Sequence, residues 1–142
     1  MGVWLIYALL SAAAAALVAI LGKIGLKEID ANAATAARSI IMAIFMVGVV
    51  VIQGKWSQFG EIWSHKRALA FIALSGVAGA LSWMFYFLAL KYGKVSQVGP
   101  VDKLSVVIAV VLAIAFLGEK ITLWNGIGVA LITVGVILTA LK

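Results

Sequence analysis

An acid and a base stand side by side at Asp102 and Lys103, in the stretch GPVDKLSVV (99–107), where every other side chain is apolar or small. The nearest other charges are Lys94 and Glu119, so the pair is not the edge of a charged loop. A third charge, Arg38, interrupts the apolar run ANAATAARSIIMAIFMVGVVVIQ. Each would cost at least a few kcal/mol facing lipid near a bilayer centre, so all three should face protein or water. Counted at 1.5 Å per residue from the ends of their segments, Arg38, Asp102 and Lys103 lie about 9 to 12 Å below the same membrane face. Similar depth makes pairing possible. Asp102 is expected to meet Arg38 or Lys103 of its own or a partner chain, because a bare carboxylate at that depth would take up a proton. Two roles are open to such charges. They can lock the second and fourth segments together, or they can line a polar cavity that binds a solute and lets Asp102 exchange a proton for it.

The residues around the triad favour the cavity. Pro100 cannot donate to the carbonyl of Ser96, and with Gly99 it should kink or open the helix just ahead of Asp102. Freed backbone at membrane depth is tolerated where it lines a cavity, and Ser96 and Gln97 add polarity there. On the third segment Ser75, Gly79, Ser82, Tyr86 and Ala89 form one stripe of small and polar residues, and with Gly76 they suggest close helix packing. Trp83 and Tyr86 fit equally an aromatic cavity wall and plain packing. Asn125, Gly128, Ile132, Gly135 and Thr139 make a similar stripe on the fifth segment, read as an interface.

These residues must be positioned by membrane-spanning helices. The 142 residues are 65% hydrophobic and 11% charged, with a mean hydropathy of +1.21, far outside the soluble range. Five apolar segments, Val3 to Gly22, Ala33 to Gln53, Ala68 to Leu90, Val95 to Leu117 and Ile121 to Leu141, each approach the roughly 20 residues a span requires. The expected fold is an all-α membrane protein, a single five-helix domain over residues 1–142. The N-terminal run lacks a basic leader and is too long for a signal-peptide core, so it reads as a retained span. In the second loop Trp56, Phe59, Ile62 and Trp63 fall at near-helical spacing, as in a short interfacial helix.

The net charge of +6 comes from Lys and Arg flanking the spans, which suits lipid and orientation rather than nucleic acid. Lys55, Lys66, Arg67 and Lys120 lie on the N-terminal face, against Lys23, Lys27, Lys91, Lys94 and Lys142 on the other. Four against five specifies orientation weakly and permits insertion both ways; counting Arg38 and Lys103 with the second face would favour a cytoplasmic C-terminus. With no cysteine and one histidine, His65, no metal or cofactor site is expected. GxSxG, HExxH and GxxxxGK[ST] patterns are missing, so catalysis is not expected.

From Ala89 to Leu138 the chain reads ALKYGKVSQVGPVDKLSVVIAVVLAIAFLGEKITLWNGIGVALITVGVIL: small residues leading to a proline, an apolar helix closed by LGE, then a helix with spaced glycines. This resembles the EamA domain of the drug/metabolite transporter superfamily, in its single-repeat five-helix branch. The resemblance implies one half of an inverted-repeat architecture and a secondary transporter of small metabolites or organic solutes in a bacterial or archaeal inner membrane. It also implies a partner. An odd-span unit rebuilds the inverted pair only with an antiparallel copy, which the near-even charge count permits; a parallel dimer or a second half-size protein are the other arrangements. Related small multidrug transporters use a glutamate in the first helix, which here has no acid, leaving Asp102 as the one deep acid for proton coupling. Glu119, in the LGE motif, reads as a turn residue.

The expected solute site is Arg38, Trp83, Tyr86, Ser96, Gln97, Asp102 and Lys103, with Gly99 and Pro100 as a hinge and alternating access as the mechanism. The competing reading is a non-transporting scaffold or accessory subunit of a larger membrane complex, which explains the hydrophobicity but not charges at one depth beside a proline.

Overall fold

The computed structural model describes residues 2–140, and all regular structure among them is helical. In chain order the helices are α1 (Val3–Gly25), α2 (Ala31–Ile52), α3 (Trp56–Glu61), α4 (Lys66–Tyr92), α5 (Val95–Asp102), α6 (Leu104–Leu117) and α7 (Leu123–Ala140), with a 3-10 turn at Ile62–Ser64. α1, α2, α4, the α5–α6 pair (Val95–Leu117) and α7 are each long and apolar enough to cross a membrane. The five expected spans are therefore present, with ends shifted by a few residues. Leu141, the expected end of the last span, and Lys142 lie outside the described residues.

The chain divides into two compact units, Gly22–Lys91 and the remainder. In the first, the buried side chains Leu26, Ala31, Thr35, Phe87 and Leu90 fall where α1 and α4 end and α2 begins. Lys23 donates from Nζ to the Leu90 carbonyl, joining the ends of α1 and α4. Asp30 caps α2, its carboxylate accepting from the backbone of Asn32 at 2.9 Å and Ala33 at 3.0 Å, two of the donors a helix start leaves unpaired. Within the span, Thr35 and Ser39 donate to the Ala31 and Thr35 carbonyls at 2.7 and 2.9 Å, so their hydroxyls carry no unmet polarity. The second loop folds as expected, with Trp56 and Phe59 stacked at 5.4 Å between ring centres on α3.

In the second unit α5 and α6 pack against α7. The α7 residues with reduced exposure are Gly126, Gly128, Val129, Thr133 and Val136, the last 5% exposed. Of the stripe expected to be an interface, Asn125, Ile132, Gly135 and Thr139 are exposed, and a Cβ added at Gly128 or Gly135 would touch nothing within 4 Å, so no other helix of this chain approaches it closely among the described residues. The same holds at Gly76 and Gly79 of α4, so the stripes are not close-packing faces among the described residues. α6 ends at Gly118, whose φ of 68° is left-handed, and the Glu119 backbone then donates to the Ala113 carbonyl at 3.3 Å. Glu119 is thus a turn residue.

Hydrogen bonds, first from Ala33 and then from Asn32, hold the Asp30 carboxyl below its ordinary value of 3.8. The cap therefore contributes fully above that value and loses its contribution as the pH falls through the lower, folded-state value. Thermal melts in detergent are expected to show Asp30→Ala destabilised at neutral pH, with the gap to the parent closing only in strong acid; a gap that closes near pH 5 would contradict the charged cap.

Candidate functional site

Arg38 is the eighth residue of α2, about 10 Å along the helix from its start. Trp83 and Phe87 sit one turn apart on α4, close to its far end, so the two helix ends bring the three to one level. The guanidinium carbon of Arg38 lies 3.7 Å over the centre of the Trp83 ring and 5.5 Å from that of Phe87. Trp83 meets Tyr86 edge-on at 5.6 Å and 86°, and Phe87 at 6.0 Å and 63°, while Tyr86 and Phe87 are 6.2 Å apart. Edge-to-face arrangement is what ring quadrupoles favour, and the indole face left by it carries the cation. Phe87 is fixed from behind: a Cβ added at Gly22 would stand 3.1 Å from its Cζ, so only a glycine there lets the ring lie where it does.

Nη1 of Arg38 is buried with no hydrogen-bond partner among the described residues. The rings attract the cation without neutralising it, and they do not satisfy its N–H donors. Sequence reasoning picked out Arg38, Trp83 and Tyr86 but missed Phe87 and Gly22. The spacing from Trp83 to Phe87, i to i+4, was the available signal for a shared face.

The other charges pair with each other. Lys103 Nζ lies 3.1 Å from Asp102 Oδ2, with side chains 56% and 32% exposed. Of the two partners expected for Asp102, Lys103 is the one present. Neighbours in sequence point about 100° apart on a continuous helix and do not normally meet. Here the helix is interrupted at Lys103, whose backbone donates to the Pro100 carbonyl at 2.9 Å in a tighter turn. The interruption corrects the expected position: Gly99 and Pro100 lie inside α5, and the break falls after Asp102 rather than ahead of it. Proline removes the hydrogen bond to the carbonyl one turn before it, at Ser96, yet the helix continues through Asp102. Ser96 is exposed on the first turn of α5 and Gln97 is half-buried beside it. A separate hollow of about 530 Å³, lined by His65, Lys66, Arg67, Ala68 and Phe71, opens at the start of α4, some 22 Å along that helix from Trp83.

Residues 2–141 match the EamA-like transporter family. The chain belongs to that family. A Sinorhizobium protein described as an uncharacterized transporter in the cobO 3' region is 42% identical over 137 residues, 96% of each chain. An uncharacterized protein of Methanocaldococcus jannaschii is 34% identical over 102 residues, 72% of each chain. No solved structure gives a significant match. The five apolar helices and the EamA-like match together make this a multi-pass membrane protein of the transporter class, and the family and relative names point to transport rather than to catalysis.

The contact at Gly22 is open to mutation. Gly22→Ala needs a shift of a few tenths of an ångström in Phe87 and is expected to be mild, whereas Gly22→Leu should cost roughly 1 to 3 kcal/mol by overpacking. Denaturation in detergent followed by circular dichroism measures both; equal stabilities would show that Phe87 is not held against α1.

Proposed function

We propose that the chain, acting as one five-helix domain over residues 1–142, is a half-size secondary transporter of small metabolites or organic solutes. It works by alternating access in a bacterial or archaeal inner membrane, as a dimer, with an antiparallel pair of identical chains preferred. The observation that carries this reading is the Asp102–Lys103 pair, part-exposed at a helix interruption inside an apolar span. Charges there require water or protein beside them, and irregular backbone at membrane depth persists where it lines a cavity. Asp102 is the proton carrier in this scheme, released from Lys103 as it takes up a proton. Lys103, Arg38, Trp83, Tyr86, Ser96 and Gln97 contact the solute, and the Gly99–Pro100 segment with the turn after it is the flexible point.

A dimer is supported by what one chain leaves uncovered, since Lys103 and the Asn125, Gly135 and Thr139 face of α7 are exposed. The near-even charge on the two faces supports the antiparallel form.

In proteoliposomes, Asp102→Asn should abolish proton-driven flux while leaving insertion and dimerisation intact; undiminished flux removes the coupling role. A reporter fused to the C-terminus should be found on both sides of the membrane, and a one-sided signal would eliminate the antiparallel homodimer. An intramembrane scaffold would give no flux with any solute, before or after substitution.

A further inference from the structure

We propose that the group recognised at Arg38 is the carboxylate of a small organic acid with an apolar body, held by the guanidinium edge while Trp83 and Phe87 cover its face. The proposal rests on the transport reading and narrows its substrate class. Three observations lead to it.

First, the aromatic contacts leave hydrogen-bonding capacity over. The Trp83 and Phe87 ring centres lie 3.7 and 5.5 Å from the guanidinium carbon, and π-faces do not replace acceptors for the fork of N–H groups, whose geometry matches a planar two-oxygen acceptor. Nη1 is sealed from solvent yet bonded to nothing among the described residues, while Arg38 as a whole is only half-buried. Leaving a cationic donor buried without an acceptor is costly, and a bound acceptor would remove that cost.

Second, the unit holding Arg38 offers no counter-ion inside the membrane. α1, α2 and α4 contain no acidic residue. Its acids are Glu28 and Asp30 in the loop before α2 and Glu61 on α3, and Asp30 is engaged in capping α2. Thr35 and Ser39, the hydroxyls flanking Arg38 in sequence, direct their hydrogens into backbone carbonyls.

Third, the charge count selects the anion. Asp102 and Lys103 neutralise each other, while Arg38, set two turns inside α2, has no acid paired with it among the described residues. A single positive charge in a low-dielectric site matches a monoanion, whereas a phosphate dianion would leave a net negative charge at depth. The surrounding Tyr86, Trp83 and Phe87 rings supply apolar contact for the remainder of the solute.

The test is a binding titration on the purified full-length protein in detergent, in a background where Trp4, Trp56, Trp63 and Trp124 are phenylalanine, so that fluorescence reports Trp83 alone. Benzoate is the probe, benzamide its neutral counterpart, and inorganic phosphate and a short-chain phosphatidic acid the competing oxyanions. A saturable change with benzoate, at least about tenfold weaker with benzamide and with Arg38→Lys, which keeps the charge but loses the fork, is the expected result. An equal response to benzamide, an unchanged affinity in Arg38→Lys, or tighter binding of phosphate or phosphatidic acid overturns the carboxylate assignment. The comparison of benzoate with benzamide is made on one protein and stands even if Arg38→Lys fails to fold. Flux is read separately in proteoliposomes: transport of non-acidic solutes with no benzoate binding overturns the proposal and leaves the transport reading standing. Benzoate binding without flux of any solute supports the site and overturns transport.

Discussion

A guanidinium carbon 3.7 Å over the centre of an indole, about two turns inside an apolar helix, is the interaction on which the first unit's chemistry depends. Removing a cation from water costs several kcal/mol even after relaxation, and a desolvated cation–π contact returns about 2 kcal/mol or somewhat more. Stacking alone therefore cannot hold Arg38 where it is. The difference must come from the packing that fixes the rings, Phe87 against Gly22 and Leu90 fully buried beside it, and from whatever acceptor meets the free N–H groups. The side chains that make the unit compact are thus the same ones that leave a charged donor unsatisfied. Such a conflict between local comfort and overall fold is characteristic of a functional site.

The second unit handles the same problem in another way. Its charges are adjacent in sequence, and an interruption in the helix lets them turn toward each other at 3.1 Å. Because the pair is part-exposed, little holds it closed beyond the ion pair itself, and exposed pairs are worth no more than about 1 kcal/mol in water. An acid that can exchange partners cheaply is suited to carrying a proton, whereas a donor locked by aromatic packing is suited to recognising a fixed shape.

Much of this was legible in the residues. Apolar length alone located five spans, because backbone in lipid has few alternatives to a helix. Trp56 and Phe59 announced the interfacial helix by spacing, and depth counting selected Arg38, Asp102 and Lys103 before any contact was seen. What was misread shares one cause. The glycines of α4 and α7 do not bring helices of this chain together, because a small residue permits close approach without causing it, and the row of α7 turned inward within the chain runs through Thr133 and Val136. The proline is expected to open the helix ahead of Asp102, yet residues 95–102 form one helix and the interruption falls at Lys103, in a tighter turn. Gly22 and Phe87 escaped notice because their meeting joins α1 to α4, and no local pattern encodes a contact across 65 residues of chain.

Water beside the charged residues is what the whole scheme requires, and it can be measured directly because the chain has no native cysteine. A single cysteine placed at Lys103 should react in sealed vesicles with a charged, membrane-impermeant thiol reagent, as a control cysteine at Gly93 does. A cysteine at Lys103 that stays unmodified while the control reacts would mean that this position faces lipid or dry protein, and would contradict a solute path through the spans.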